Sequence, residues 1–142
     1  MQAFQEINAL FKVESLVPTT AQSGKKILII DDNRDIQNSL VEILKSDYEL
    51  ISCYTWSDVE KNFSPDIDLA LLDIKMPDFD GITIFSRLKE KMPNCKIIFN
   101  SAYPGDDIEA KKIERLAHNG YLTKGNYNIV ELREYIKKAM ES

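Results

Sequence analysis

Short apolar runs alternate with longer segments of helical period from Lys26 to the end of the chain. The runs KILIID (26–31), DLALLD (68–73) and CKIIFN (95–100) are almost continuously apolar, and two further strand candidates lie at 49–54 and 120–123. Strands buried on both faces have this composition, and parallel neighbours need a crossover, usually a helix, between them. The pattern therefore predicts an α/β fold: a doubly wound, five-stranded parallel sheet with helices on both faces.

Five segments carry apolar residues at helical spacing. Asn33 is expected to cap the first, over 35–45, and Ser57 the second, over 57–63. The others lie around 82–88, 108–116 and 129–136. Each follows one strand candidate, as a sheet of parallel crossovers requires.

Residues 1–24 stand outside this pattern. Phe4, Ile7, Leu10 and Phe11 have the spacing of one face of a short helix, and 19–24 has the composition of a linker. A partly disordered leader and a helix that docks on the domain or on a partner are both open, and the marginal stability of short helices favours the first. We expect a leader over 1–24 and one domain over 25–142.

Charge and composition exclude several functions. The net charge of -5 argues against binding nucleic acid or anionic membranes, and no apolar run approaches the roughly 18 residues of a membrane span. The N-terminus lacks the features of a signal peptide, so a cytoplasmic location is expected. Cys53 and Cys95 are too few for a disulfide scaffold or a zinc site and are expected to be buried and unpaired.

Polar residues follow four of the predicted strands. Asp31 and Asp32 end the first, Asp73 ends the third, Ser101 follows the fourth and Lys124 follows the fifth. Taken singly they suit helix caps, a turn, a loop hydroxyl and a solvated charge, but the carboxyl ends of parallel strands converge on one crevice. At about 5 Å, each pair of carboxylates would repel by about 3 kcal/mol. Such a cluster indicates a bound cation, and its oxygen donors favour Mg²⁺.

A magnesium ion beside an aspartate, a hydroxyl and an ammonium group suits phosphoryl transfer. The aspartate can attack phosphorus, and the other groups can stabilise the oxygens of the transferred group. Asp73 is the expected nucleophile because it stands alone on its strand, whereas Asp31 and Asp32 are paired and better placed to hold the metal.

These motifs resemble the receiver domains of two-component response regulators, also called CheY-like domains. The resemblance covers about Lys25 to Ser142 through ILIIDDN, LALLDIKMPDFDGI, IIFNSA and GYLTK. It implies a flavodoxin-like sheet of order 2-1-3-4-5. It further implies that a sensor histidine kinase or a histidine phosphotransfer protein phosphorylates Asp73 in a Mg²⁺-dependent reaction.

The resemblance also assigns roles to the surrounding residues. Asp32 would bind the metal directly and Asp31 directly or through water, together with Asp73 and the backbone carbonyl of Lys75. The phosphoryl-contacting and switch residues would be Ser101, Ala102, Lys124 and Tyr121. Gly81 would supply a backbone conformation that other residues resist.

The implied function is a phosphoacceptor switch in a phosphorelay, which catalyses only its own phosphorylation and dephosphorylation and is otherwise not an enzyme. Its downstream protein would bind the face formed by the fourth predicted helix, the fifth strand and the fifth predicted helix. The chain would be a monomer or a phosphorylation-dependent dimer.

Three positions depart from the commonest pattern of the family. Ser101 replaces a more frequent threonine and keeps the hydroxyl. Gly125 stands where many receivers have a proline with a cis bond, which predicts a looser loop. Lys75 places a cation beside the site, and we expect it to affect the rate of aspartyl-phosphate hydrolysis.

Three other functions share parts of this pattern. A receiver-like binding module independent of phosphorylation would not need the complete acidic site. A small Mg²⁺-dependent phosphatase with an aspartate nucleophile would need a second acid at the position of Lys75. A flavodoxin-like cofactor carrier would place a phosphate against DDNRD (31–35), whose acids repel it.

Overall fold

Five parallel strands form one sheet in the order β2-β1-β3-β4-β5. The structure, a computed structural model, describes residues 23–74, 76, 81–102 and 119–141. Its elements are β1 Lys26–Ile30, α1 Arg34–Leu44, β2 Glu49–Cys53, α2 Trp56–Lys61, β3 Leu69–Leu72, α3 Gly81–Lys91, β4 Lys96–Ser101, β5 Gly120–Thr123 and α4 Ile129–Glu141. The predicted fold class and strand order are confirmed.

The central strands bury both of their faces, which explains their continuous apolar composition. In β1, Leu28 and Ile30 pack into a first core cluster with residues of α2 and α3. Ile27 and Ile29 point to the opposite face and pack into a second cluster with residues of α1 and α4. Because side chains alternate along a strand, one apolar run supplies both cores.

Reciprocal capping places the N-cap of α2 two residues earlier than predicted. Asn33 caps α1 as expected, and its side chain accepts a hydrogen bond from the backbone N–H of Ile36. The second helix is capped by Thr55 rather than Ser57, because the Thr55 hydroxyl accepts from the Asp58 N–H while the Asp58 carboxylate accepts from the Thr55 N–H. This capping box satisfies two backbone donors together.

Two predicted segments lie outside the described residues, namely the leader up to residue 22 and the fourth predicted helix at 108–116. The fifth predicted helix is α4. Within the described ranges, no helix combines the length and the apolar character that a membrane crossing requires.

Candidate functional site

The carboxyl ends of β1, β3 and β4 place three polar side chains inside the protein. Asp31, Asp73 and Ser101 are all buried. The backbone N–H of Asp31 donates to the carbonyl of Cys53 at 3.0 Å, and that of Asp73 donates to the carbonyl of Ile30 at 2.9 Å. The sheet's hydrogen bonding therefore continues one residue past each strand, so both carboxylates project from a fixed backbone.

Lys124 lies between the two buried carboxylates. Its Nζ is 2.7 Å from Oδ2 of Asp31 and 3.5 Å from Oδ1 of Asp73. Only 16% of the lysine side chain is exposed, against 3% for Asp31 and 9% for Asp73. Burial alone lowers the pKa of Lys124, but the hydrogen bond to Asp31 and the negative charges of both aspartates outweigh it and raise that pKa above its ordinary value. The ammonium group therefore stays charged at neutral pH.

Asp32 completes a cluster of three acids. Carboxylate oxygens of Asp31, Asp32 and Asp73 all lie within 4.8 Å of one another, and Asp32 is exposed whereas the other two are buried. The backbone N–H of Asn33 donates to Oδ1 of Asp31 at 2.9 Å, which orients that carboxylate. Hard oxygen donors open to solvent on one side fit Mg²⁺, which keeps several of its waters. Lys75, whose carbonyl was predicted as a further ligand, lies outside the described residues.

Gly81 packs directly against the backbone that carries Asp73. A Cβ at this position would lie 2.7 Å from Cα of Ile74 and 3.0 Å from the carbonyl oxygen of Asp73. Its φ is not in the left-handed region, so the predicted reason for this glycine was wrong. The first residue of α3 lacks a side chain because the helix approaches the end of β3 too closely to admit one.

The predicted switch residues Ser101, Ala102 and Tyr121 lie in or directly after the last two strands of the sheet, β4 and β5. Ser101 is fully buried at the end of β4, whereas Ala102 is exposed. Tyr121 is half-buried on β5 and packs against the first core cluster. Its backbone N–H donates to the hydroxyl of Tyr135 on α4 at 2.9 Å. The roles of Ser101, Ala102 and Tyr121 toward a phosphoryl group stay predictions.

Hydrogen bonds restrain the loop that carries Lys124. The backbone N–H of Lys124 donates to the carbonyl of Ser101 at 2.6 Å, and the hydroxyl of Tyr127 donates to Oδ1 of Asn100 at 3.2 Å. Gly125 has a φ of +83°, a conformation that favours glycine, and the described residues contain no cis peptide bond. The loop thus has contacts with β4 that the sequence does not indicate, and its looseness stays a prediction.

Comparison with known proteins agrees with this geometry. Residues 27–137 match the family model described as the response regulator receiver domain. The chain belongs to the response regulator receiver family. Among its relatives, the chemotaxis protein CheY of Halobacterium salinarum is 34% identical over 106 residues, which cover 71% of this chain and 85% of that protein.

Two solved receiver structures share the fold. The CheY-like receiver domain protein of Methanospirillum hungatei has a TM-score of 0.74 at 30% identity, covering 84% of this chain and 95% of that one. The response regulator TrrA of Thermotoga maritima, solved in complex with Mg²⁺ and BeF, has a TM-score of 0.67 at 32% identity, covering 81% and 98%. By contrast, the match to the transcriptional regulatory protein CssR of Bacillus subtilis, 31% identical, covers 69% of this chain and only 44% of that protein.

One buried residue of this receiver was missed by the sequence analysis. Gln37 on α1 is fully buried, and its side-chain amide contacts backbone carbonyls at the ends of β1 and β2. A signal was available, because Gln37 lies three residues before Leu40 and seven before Leu44, on the apolar stripe of the helix. A polar residue on that stripe indicates a buried hydrogen-bonding role.

The two cysteines of the receiver are structural. Cys53 and Cys95 are both unpaired and buried, as expected. Burial raises the pKa of each thiol to about 12, so both stay protonated at neutral pH. A protonated, buried thiol is neither a ready metal ligand nor a nucleophile.

Proposed function

We propose that this receiver accepts a phosphoryl group on Asp73 and thereby changes its surface for a partner protein. The donor would be the phosphohistidine of a sensor histidine kinase or of a histidine phosphotransfer protein. The main support is the placement of the Asp73 carboxylate 3.5 Å from the Lys124 ammonium, in the crevice that also holds Asp31 and Asp32.

In the transfer step, a carboxylate oxygen of Asp73 forms a bond to phosphorus while the bond from phosphorus to the histidine nitrogen breaks. The bonding electron pair leaves with the imidazole, which takes up a proton. Lys124 would stabilise the charge on the transferred oxygens, and the Ser101 hydroxyl would donate a hydrogen bond to one of them. In hydrolysis, water attacks the same phosphorus while the bond from phosphorus to the Asp73 oxygen breaks, which releases inorganic phosphate and returns Asp73 to its carboxylate form.

Mg²⁺ fits the three acids, which would hold it together with the carbonyl of Lys75. When bound, it supplies positive charge to the oxygens of the transferred group. The complex of TrrA with Mg²⁺ and BeF supports this choice of metal by likeness.

Phosphorylation would act on the surface through charge. It adds roughly two negative charges and three acceptor oxygens to Asp73, which draw Ser101 and Lys124 toward the new group. We propose that the ring of Tyr121 then turns into the space that Ser101 leaves. The face that includes β5 and α4 would change shape, and a partner with higher affinity for that shape would read the signal.

The organisation that accompanies this function is also proposed. Residues 25–142 would form the receiver and 1–24 a leader, in a cytoplasmic protein that binds neither nucleic acid nor membranes through this chain. The receiver would be a monomer or would form dimers when phosphorylated, which gel filtration with and without phosphodonor would distinguish.

Incubation with acetyl phosphate and Mg²⁺, followed by intact mass measurement, tests the proposal. We expect the wild-type chain to gain one phosphoryl group and Asp73→Asn to gain none. Asp66→Asn is the matched control, because Asp66 also pairs with a lysine but is exposed at the amino end of the strands. It should be labelled like the wild type.

Two outcomes would overturn the proposal. Absence of labelling with acetyl phosphate and with phosphorylated histidine phosphotransfer proteins would indicate a binding module that does not use phosphorylation. Sustained turnover of unrelated phosphomonoesters, lost in Asp73→Asn, would instead indicate a phosphatase.

A further inference from the structure

The side-chain amide of Gln37 donates hydrogen bonds to three backbone carbonyls. It lies one turn after the cap of α1 and is 0% exposed. Its Nε2 is 2.9 Å from the carbonyl oxygen of Cys53, 3.0 Å from that of Ile29 and 3.1 Å from that of Asp31. Because the amide has two N–H groups, at least one of them is shared between two carbonyls.

The orientation of this amide follows from its surroundings. All three neighbours within hydrogen-bond distance are acceptors, so the nitrogen faces them, and Oε1 has no partner among the described residues. A long polar side chain is rarely buried with an unsatisfied oxygen, since this costs stability. The three hydrogen bonds from Nε2 therefore offset the cost of burying Oε1.

These contacts immobilise the backbone on both sides of Asp31. The N–H of Asp31 donates to the carbonyl of Cys53 at 3.0 Å, and Gln37 donates to that same carbonyl. The carbonyl of Asp31, which belongs to the peptide joining Asp31 to Asp32, accepts from Gln37 directly. Gln37 thus restrains the Asp31–Asp32 peptide directly and the Ile30–Asp31 peptide through the carbonyl of Cys53, which both groups share as an acceptor.

The amide also reduces the electrostatic repulsion among the oxygens at this end of β1. The carbonyl oxygen of Asp31 accepts a hydrogen bond from the Gln37 amide, and without that donor it would be an unpaired negative dipole next to the repelling carboxylates of Asp31 and Asp32. A glutamate at this position would present oxygen where the donors now lie and would add another negative charge.

We propose that Gln37 is a positioning residue of the magnesium site, which holds the Asp31–Asp32 peptide so that both carboxylates converge on the ion with Asp73. This rests on the proposed function, because that function is what places Mg²⁺ among the three acids. Gln37 itself touches neither the metal nor the phosphoryl group; it acts through the backbone of the two ligands.

Titration of MgCl2 into the receiver, followed by the NMR shifts of backbone amides, gives the affinity directly. In Gln37→Met, which keeps the volume but loses the donors, we expect the Kd for Mg²⁺ to rise roughly 10-fold, the lower end of the range for residues that orient metal ligands. The matched control is Leu40→Ala, a buried position one turn further along α1 that packs into the second core cluster. It should lower stability and leave the Kd unchanged.

A second variant keeps the test decisive if Gln37→Met does not fold. Gln37→Asn retains the amide but shortens its reach by one methylene, and we expect a smaller loss of affinity than in Gln37→Met. If the folded Gln37 variants bind Mg²⁺ as tightly as wild type and Leu40→Ala, the residue is only structural and the inference is wrong.

The same titration separates this inference from the proposed function. If the wild-type chain shows no saturable binding of Mg²⁺, both fail together. If wild type binds Mg²⁺ and is labelled by acetyl phosphate while the Gln37 variants bind equally well, only the role of Gln37 is refuted. If the variants lose affinity but the wild type is never labelled, the role of Gln37 stands and phosphorylation of Asp73 does not.

Discussion

Lysines and aspartates meet at both ends of the sheet, but in opposite surroundings. At the amino end, Nζ of Lys26 is 2.6 Å from Asp66 and 3.9 Å from Glu49, and these acids are 56% and 61% exposed. At the carboxyl end, Lys124 pairs with Asp31 and Asp73, whose side chains are less than 10% exposed. The pKa of each lysine is raised, that of Lys26 chiefly by its hydrogen bond to Asp66. Water screens the exposed charges at the amino end much more than the buried charges at the carboxyl end. The charges at the carboxyl end therefore interact more strongly with each other and with a bound ion.

The largest expected effect comes from changing Gly81, which packs against the backbone at the carboxyl end of β3. Gly81→Ala would force a Cβ to within 2.7 Å of Cα of Ile74 and displace the segment that bears Asp73. We expect a loss of roughly 3 kcal/mol in the free energy of unfolding, measured with urea, and slower labelling by acetyl phosphate. Ser86→Ala, at an exposed position of the same helix, should change neither. A Gly81→Ala protein as stable as wild type would show that the end of β3 yields easily.

The next effect compares the two lysines. Lys124→Met leaves two buried aspartates without their cation, and we expect it to cost about 2 kcal/mol, less than for a fully buried pair because some solvent reaches the group. Mg²⁺ should restore stability and bind more tightly than to wild type, because no ammonium competes for the carboxylates.

Lys26→Met should change the melting temperature little, and that small change should vanish in 1 M NaCl, whereas the effect of Lys124→Met should persist. Thermal unfolding of both variants at low and high salt is the measurement. Equal salt sensitivity of the two would contradict the distinction between the ends of the sheet.

A smaller effect, of opposite sign, is expected from Asp73→Asn. Among the described residues, in the absence of Mg²⁺, two carboxylates within 4.8 Å repel Asp73 and the Lys124 ammonium at 3.5 Å attracts it. We expect the repulsion by the two carboxylates to exceed the attraction by Lys124, so that neutralising Asp73 stabilises the apo-protein by about 1 kcal/mol. Urea unfolding in EDTA tests this, with the exposed Asp66→Asn as control; a destabilised Asp73→Asn would mean that the pairing with Lys124 dominates.

The smallest expected effect near neutral pH is the change with pH in the contribution of Lys124 to stability. Its pKa in the folded protein is raised above the ordinary 10.5, so its contribution to stability is fully present below pH 10.5 and is lost only as the pH rises through the folded value. The stability difference between wild type and Lys124→Met should therefore stay constant from pH 7 to about 10 and shrink above that. A difference that already falls between pH 7 and 9 would mean that the lysine is not held by the acids.

Much of the fold followed from apolar patterning. The runs around β1, β3 and β4 predicted buried parallel strands because two-sided burial requires continuous apolar residues. The ends of the helices were predicted less accurately. Thr55 rather than Ser57 caps α2, because the cap is the residue whose side chain has a reciprocal hydrogen-bond partner, here Asp58. The position of Asp31, Asp32, Asp73 and Lys124 was predictable too, because strand ends of a parallel sheet share one edge.

By itself, the sequence determined the order of strands and helices, the acids and the lysine that meet at one edge, and membership of the receiver family. Only the tertiary structure decided which charges are buried, that Gly81 is required by close approach and not by φ, and that Gln37 reaches across from α1 to the ends of β1 and β2. The physical reason is distance. Strand ends are placed by local patterning and topology, whereas burial, steric contact and long-range hydrogen bonds depend on how the helices pack against the finished sheet.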